Sequence, residues 1–126
     1  MIDLTEHQIQ RLIIDWADLV LPPAYRLVHV PNEGKRSRIA GHRLKQAGMR
    51  PGFPDLILLG PVVGLIEVKA WRKYPNEDQR EWRDWALSTG LNWGLARSID
   101  DVRDLFRQWS IPTREAAQEA GIPTEG

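Results

Sequence analysis

The stretch PGFPDLILLGPVVGLIEVKAW, residues 51–71, decides the fold. A glycine- and proline-rich entry leads into a near-continuous apolar block from Asp55 to Leu59. Gly60 and Pro61 make a tight turn, and Val62 to Ala70 resumes the apolar pattern until Glu67 and Lys69 interrupt it. Short apolar blocks bounded by turn residues read as buried strands. Two of them joined this tightly read as antiparallel neighbours. Side chains alternate on a strand, so Glu67 and Lys69 share one face and Val68 takes the other. Pairing about a turn near Gly60 to Val63 sets Asp55 opposite approximately Glu67.

Upstream, Ile9, Leu12, Ile13, Trp16, Leu19 and Val20 recur at helical spacing, with Thr5 available as N-cap. Pro22 and Pro23 stop that helix, and Arg26 to Val30 is a β-rich run ended by Pro31. The segment to Arg50 reads as a loop with a helical turn, since Gly34, Gly41 and Gly48 punctuate it. Downstream, Asn76 caps a helix from Glu77 to Thr89, with Trp82, Trp85 and Ala86 toward the sheet and Gly90 as the stop. Leu91 to Arg97 is a further strand. Ser98 or Asp100 caps a last helix, Asp101 to Trp109, with Val102, Leu105, Phe106 and Trp109 on its apolar side. A helix between two strands favours parallel pairing there and hence a mixed sheet in an α/β domain. Residues 1–109 are expected to form one domain, and residues 110–126 a short C-terminal helix or a frayed tail.

The 126 residues suffice for one core and not for two. With 42% hydrophobic residues and 6 tryptophans the chain is globular rather than disordered. No apolar run approaches the roughly 20 residues that span a bilayer, and the opening MIDLTEHQIQ lacks the pattern of an export signal, so a cytoplasmic protein is expected. There is no cysteine, which excludes disulfides, thiolate metal sites and cysteine nucleophiles. Any metal must be held by oxygen or histidine.

The formal net charge of 0 hides an asymmetry. Gly34 to Arg50 contains Lys35, Arg36, Arg38, Arg43, Lys45 and Arg50 and no acid, while the other 109 residues carry 11 cations and 17 anions. Clustered cations suit phosphate, because each phosphate neutralised releases condensed counterions. A solvated loop is the alternative reading. Arg72 and Lys73, beside Trp71 and Tyr74 at the end of the Glu67 strand, extend the basic candidates, and Trp71 could lean on a sugar or base. His7, His29 and His42 lack any common metal-ligand spacing, although His42 could meet a phosphate. Trp82, Trp85 and Trp109 fall at core spacing.

Glu67 and Lys69 alone would be a surface pair stabilising by well under ~1 kcal/mol. With Asp55 on an adjoining buried strand, three ionisable groups are costly to bury without a ligand. Mg²⁺ or Mn²⁺ takes oxygen ligands and uses one or two carboxylates together with phosphate oxygens and water. Asp55 and Glu67 supply that set, and the backbone carbonyl of Val68 can add a ligand. Lys69 is placed either to hold or deprotonate an attacking water or to offset charge on a phosphorane. Gln79, ten positions on, can orient Lys69 or the water.

At these residues the sequence resembles the virus-type replication-repair nuclease family, VRR-NUC, of the PD-(D/E)XK nuclease superfamily. The resemblance runs from about Thr5 to Trp109. It rests on Glu6 in the opening helix, Pro31 to Ser37 (PNEGKRS), Gly52-Phe53-Pro54-Asp55, Ile66-Glu67-Val68-Lys69, Gln79, and the closing segment from Arg97-Ser98 to Trp109. It implies a restriction-endonuclease-like αβββαβ core, a mixed central sheet flanked by helices, and a Mg²⁺- or Mn²⁺-dependent endonuclease acting on branched DNA such as Holliday junctions, flaps or forks. It further implies Asp55 and Glu67 as metal ligands, Lys69 as catalytic lysine, Gln79 in support, and a homodimeric phage or prophage protein working in a bacterial host. Glu6 would be an accessory acid, or a first-turn glutamate that favours the helix dipole. The competing readings are a non-catalytic nucleic-acid-binding module and a subunit of a phage replication complex with the same fold.

Overall fold

The computed structural model describes residues 3–31, 42–43 and 45–122. Its first helix, α1 (Glu6–Val20), starts at a capping box. Thr5 Oγ1 accepts from the Gln8 amide at 3.1 Å, and Gln8 Oε1 accepts from the Thr5 amide at 2.9 Å, which satisfies two otherwise orphaned donors. Ile9, Ile13, Ala17 and Val20 form its buried stripe. That stripe is narrower than the sequence pattern suggested, because Leu12 and Leu19 face solvent. Leu21 adopts an extended conformation just before Pro22 and Pro23, and the helix ends there.

Four strands follow the expected order: β1 (Arg26–His29), β2 (Leu56–Leu59), β3 (Gly64–Val68) and, after helix α2 (Glu77–Ser88), β4 (Asn92–Ala96). They lie side by side as β1-β2-β3-β4, antiparallel across the first two pairs and parallel between β3 and β4. The register Leu56↔Ile66 and Leu58↔Gly64 places Leu27, Leu56, Leu58, Ile66, Val68 and Ala96 on one face, where they pack with α1 and with helix α3 (Ile99–Gln108). α3 is capped by Ser98, and its Val102 and Phe106 are buried. It can lie close because Gly64 leaves room for the Trp109 ring that a β-carbon would strike. Every residue of β3 is buried, as expected of the central strand it is.

One expectation is corrected. Trp82 and Trp85 do not turn their rings into the sheet, and Trp85 is half exposed. The Trp82 indole N–H needs an acceptor and finds Pro51 O at 3.0 Å, which draws the ring onto the 51–55 loop. There Phe53 meets it edge-on at 4.9 Å. Of the two readings of the C-terminal segment, its described part takes the short helix: α4 (Arg114–Glu119) is pinned by Glu115, which accepts from Trp16 Nε1 and from Arg103 Nε, each at 2.8 Å. Among the described residues no helix is long and apolar enough to cross a membrane.

Candidate functional site

Asp55 sits at the mouth of β2, and its backbone is tied on both sides. Gly52 turns at φ 80° with its α-carbon against Asp78 of α2, an approach that any β-carbon would block. The Asp55 carbonyl accepts from the Val30 amide at 2.8 Å and lies 3.1 Å from His29 Nδ1. A carbonyl only accepts, so it is His29 Nδ1–H that donates in this contact. The carboxylate is held too: Asp55 Oδ2 accepts from the Val68 amide at 2.8 Å, across the hairpin. The Lys69 amide turns the other way, to Ala96 O on β4 at 3.0 Å. Backbone groups alternate along a strand, so both the N–H and the C=O of Val68 point to the β2 side, toward Asp55.

Glu67 is the buried partner, 2% exposed. Gln79 fixes one of its oxygens. The Gln79 Oε1 accepts from the Asn76 amide at 2.9 Å in the capping box that opens α2, so its Nε2 must donate, and it donates to Glu67 Oε1 at 2.9 Å. The other oxygen, Glu67 Oε2, is buried with no donor among the described residues. Burial, then the negative charge and the side-chain contact of Asp55, push the Glu67 carboxyl up to about 9 from its ordinary 4.5, with Glu6 adding and Lys69 opposing.

Lys69 completes the group. Its side chain is 11% exposed, and Nζ lies 3.8 Å from Oε1 of Glu6 on α1. Glu6 is thus turned to the cluster as well as lying in the first turn of its helix. Glu6, Asp55, Glu67, Val68 and Gln79 open on one cleft of about 330 Å³, together with His29 and Phe53. His29 belongs here although its spacing gave no sign of it. The available signal was its place at the end of β1, opposite Leu56 and next to Asp55.

The basic candidates lie elsewhere. Arg43, Lys45, Arg50, Arg72 and Lys73 are exposed and do not line the cleft, while Lys35, Arg36 and Arg38 fall outside the described residues. Among the described residues no three His, Asp or Glu side chains group as a metal site by themselves. The donor set that does exist is two carboxylates and one carbonyl, with an orphaned buried oxygen among them. This suits a hard divalent ion that keeps waters and takes substrate oxygens as further ligands.

A mixed four-stranded sheet flanked by helices, with the charged cluster at the ends of its central strands, is a restriction-endonuclease-like α/β fold. The chain superposes on a solved structure, a VRR_NUC domain protein, with a TM-score of 0.69 over 86% of this chain and 90% of that one, at 22% sequence identity. No family model matches the sequence, and no curated protein does.

Proposed function

We propose that the chain is a VRR-NUC endonuclease that hydrolyses DNA phosphodiester bonds with Mg²⁺ or Mn²⁺, at branched structures such as Holliday junctions, flaps or forks, in phage replication or repair. The observation that carries this reading is the Asp55–Glu67 pair: two carboxylates brought together with one oxygen buried and unpartnered, on the fold of a VRR_NUC domain protein. A purely structural or binding module has no use for so costly an arrangement.

Asp55, Glu67 and the Val68 carbonyl would hold the cation. Bound there, it supplies Lewis-acid stabilisation of phosphate oxygens and an acidified water. Gln79 keeps Glu67 Oε1 in place and leaves Oε2 for the ion. Asp55 is kept in position by the Val68 amide on its carboxylate and by His29 and Val30 on its backbone. Lys69, steadied by Glu6, holds the attacking water at the reacting phosphate and offsets the charge that develops on it. The exposed Arg43, Lys45, Arg50, Arg72 and Lys73, with Lys35, Arg36 and Arg38, grip the backbone without reading sequence, which favours recognition of DNA shape. Two copies of so small a domain are needed to cut both strands of a symmetric junction, so the working form is a homodimer.

The test is a panel of single-stranded, duplex, flap and four-way-junction DNA incubated with Mg²⁺ or Mn²⁺. Cleavage of the branched members is expected, abolished by EDTA. Lys69→Ala should lose at least about 10²-fold in rate while retaining binding in EDTA. Undiminished cleavage by that variant would overturn the assignment.

A further inference from the structure

Lys69 leads, through Ala70 at the margin of the core, into the exposed run Trp71-Arg72-Lys73-Tyr74. Trp71 is 61% exposed and Tyr74 75%. Large aromatic surface left in water contributes little to folding, so a short run that shows two such rings offers a ligand area to cover. The loop is also fixed. The Lys69 amide bonds to Ala96 O at 3.0 Å, and the Lys73 amide closes a turn onto Ala70 O at 3.0 Å. Arg97 Nη2 donates to Lys73 O at 2.7 Å while its guanidinium lies 5.2 Å from the centre of the Tyr74 ring. Within the turn Arg72 takes φ 63°, a left-handed conformation that non-glycine residues seldom adopt.

The chemistry of this surface is one-sided. From Trp71 to Tyr74 there are two cations and no acid, and Arg97 adds a third. Flat rings between cations match a nucleic-acid strand, in which the rings take base faces and the cations take phosphates. A base inside a duplex has both faces covered by its neighbours. Without prying a base step apart, a protein ring reaches a base face only where the base is unpaired or terminal.

Resting on the nuclease reading above, we infer that Trp71 and Tyr74 form a stacking platform for an unpaired base of the substrate strand next to the scissile phosphate. The platform sets specificity by favouring junctions of single- and double-stranded DNA over continuous duplex. The acidic site and the platform are adjacent along the chain at Lys69, so the base engaged is within a few nucleotides of the bond cut.

The experiment compares the full-length chain with Trp71→Ala, Tyr74→Ala and Trp71→Phe. It measures anisotropy of a labelled flap oligonucleotide and of a fully paired duplex of the same length, in EDTA. Both side chains are exposed, so the variants should unfold at the parent's melting temperature. Each alanine variant is expected to weaken flap binding about 5- to 100-fold, the range of base–aromatic stacking, with duplex binding unchanged and Trp71→Phe close to the parent. Equal losses on both DNAs, or none on either, overturn the inference and leave the nuclease reading standing; the second result would point to a protein partner for these rings. A parent chain that binds neither DNA and cuts nothing with Mg²⁺ or Mn²⁺ overturns both.

Discussion

At the scale of single residues, Glu67 is where the cost of the site is concentrated. Its carboxyl is held up to about 9 in the folded chain, against about 4.5 when unfolded, by burial and by Asp55. Between those values the folded state binds a proton that the unfolded state has lost, so metal-free stability falls as pH rises through this window and levels off below it. The slope from this one group approaches about 1.4 kcal/mol per pH unit. Glu67→Gln has no proton to lose. In EDTA it should be more stable than the parent at pH 8, by less at pH 6, as read by urea unfolding at each pH. A parallel pair of pH profiles would show that Glu67 does not titrate abnormally. The identity of this residue was legible in the sequence, because an ionisable group inside an apolar run is conspicuous. Its orphaned oxygen was not, since that depends on where Gln79 spends its two polar atoms.

At the scale of elements, the site depends on the start of α2. Asn76 and Gln79 cap each other, and the same Gln79 amide then reaches Glu67. A sequence reading can see the cap, and it can see a polar residue near the metal candidates. It assigned Gln79 to Lys69 or a water, whereas the bond formed is to Glu67. One side chain serving a helix terminus and a buried carboxyl together appears only when helix and strand are docked. The two duties can be separated. Gln79→Glu keeps an acceptor for the Asn76 amide and adds a favourable charge at the helix N-terminus, but it replaces the donor to Glu67 with a third carboxylate. Gln79→Ala loses both. Cleavage should fall by about 10-fold or more in each variant, while only Gln79→Ala should lose helix stability, on the order of 1 kcal/mol. Equal destabilisation by the two would show that the bond to Glu67, and not the cap, dominates the stability of this corner. The tryptophans of α2 teach the complementary lesson. Their spacing indicated a core face, but the indole N–H of Trp82 had to find an acceptor, and the nearest was in the Pro51 loop.

Across the whole molecule, the sheet holds the two carboxylates and the helices supply what surrounds them: α2 brings Gln79, α1 brings Glu6, and α3 with α4 brace α1 from behind. The sheet order was readable because strand identity and connection length leave few alternatives, namely a hairpin for β2 and β3 and a helical crossover for β3 and β4. The docking of α4 was not readable, because the segment SIPTREAAQEAG is polar and its anchor is an ionic and hydrogen-bonded one formed over a long separation. Glu115 accepts from Arg103 and from Trp16 of α1, and the bond from Arg103 holds its carboxyl below the ordinary carboxylate range. A lowered folded value means that the stabilisation is present above the unfolded value near 4.5 and is lost as pH falls through the folded one. Glu115→Gln should therefore reduce stability by about 1 kcal/mol at pH 7, a melting shift of roughly 4 °C, and by progressively less toward pH 4. Because Trp16 lies nearly three turns from Glu6 on α1, the clasp acts on the fold rather than on the cleft, and cleavage per folded molecule should be unchanged. Loss of cleavage at a temperature where Glu115→Gln is fully folded would instead mean that α4 sets the position of Glu6, and through it of Lys69.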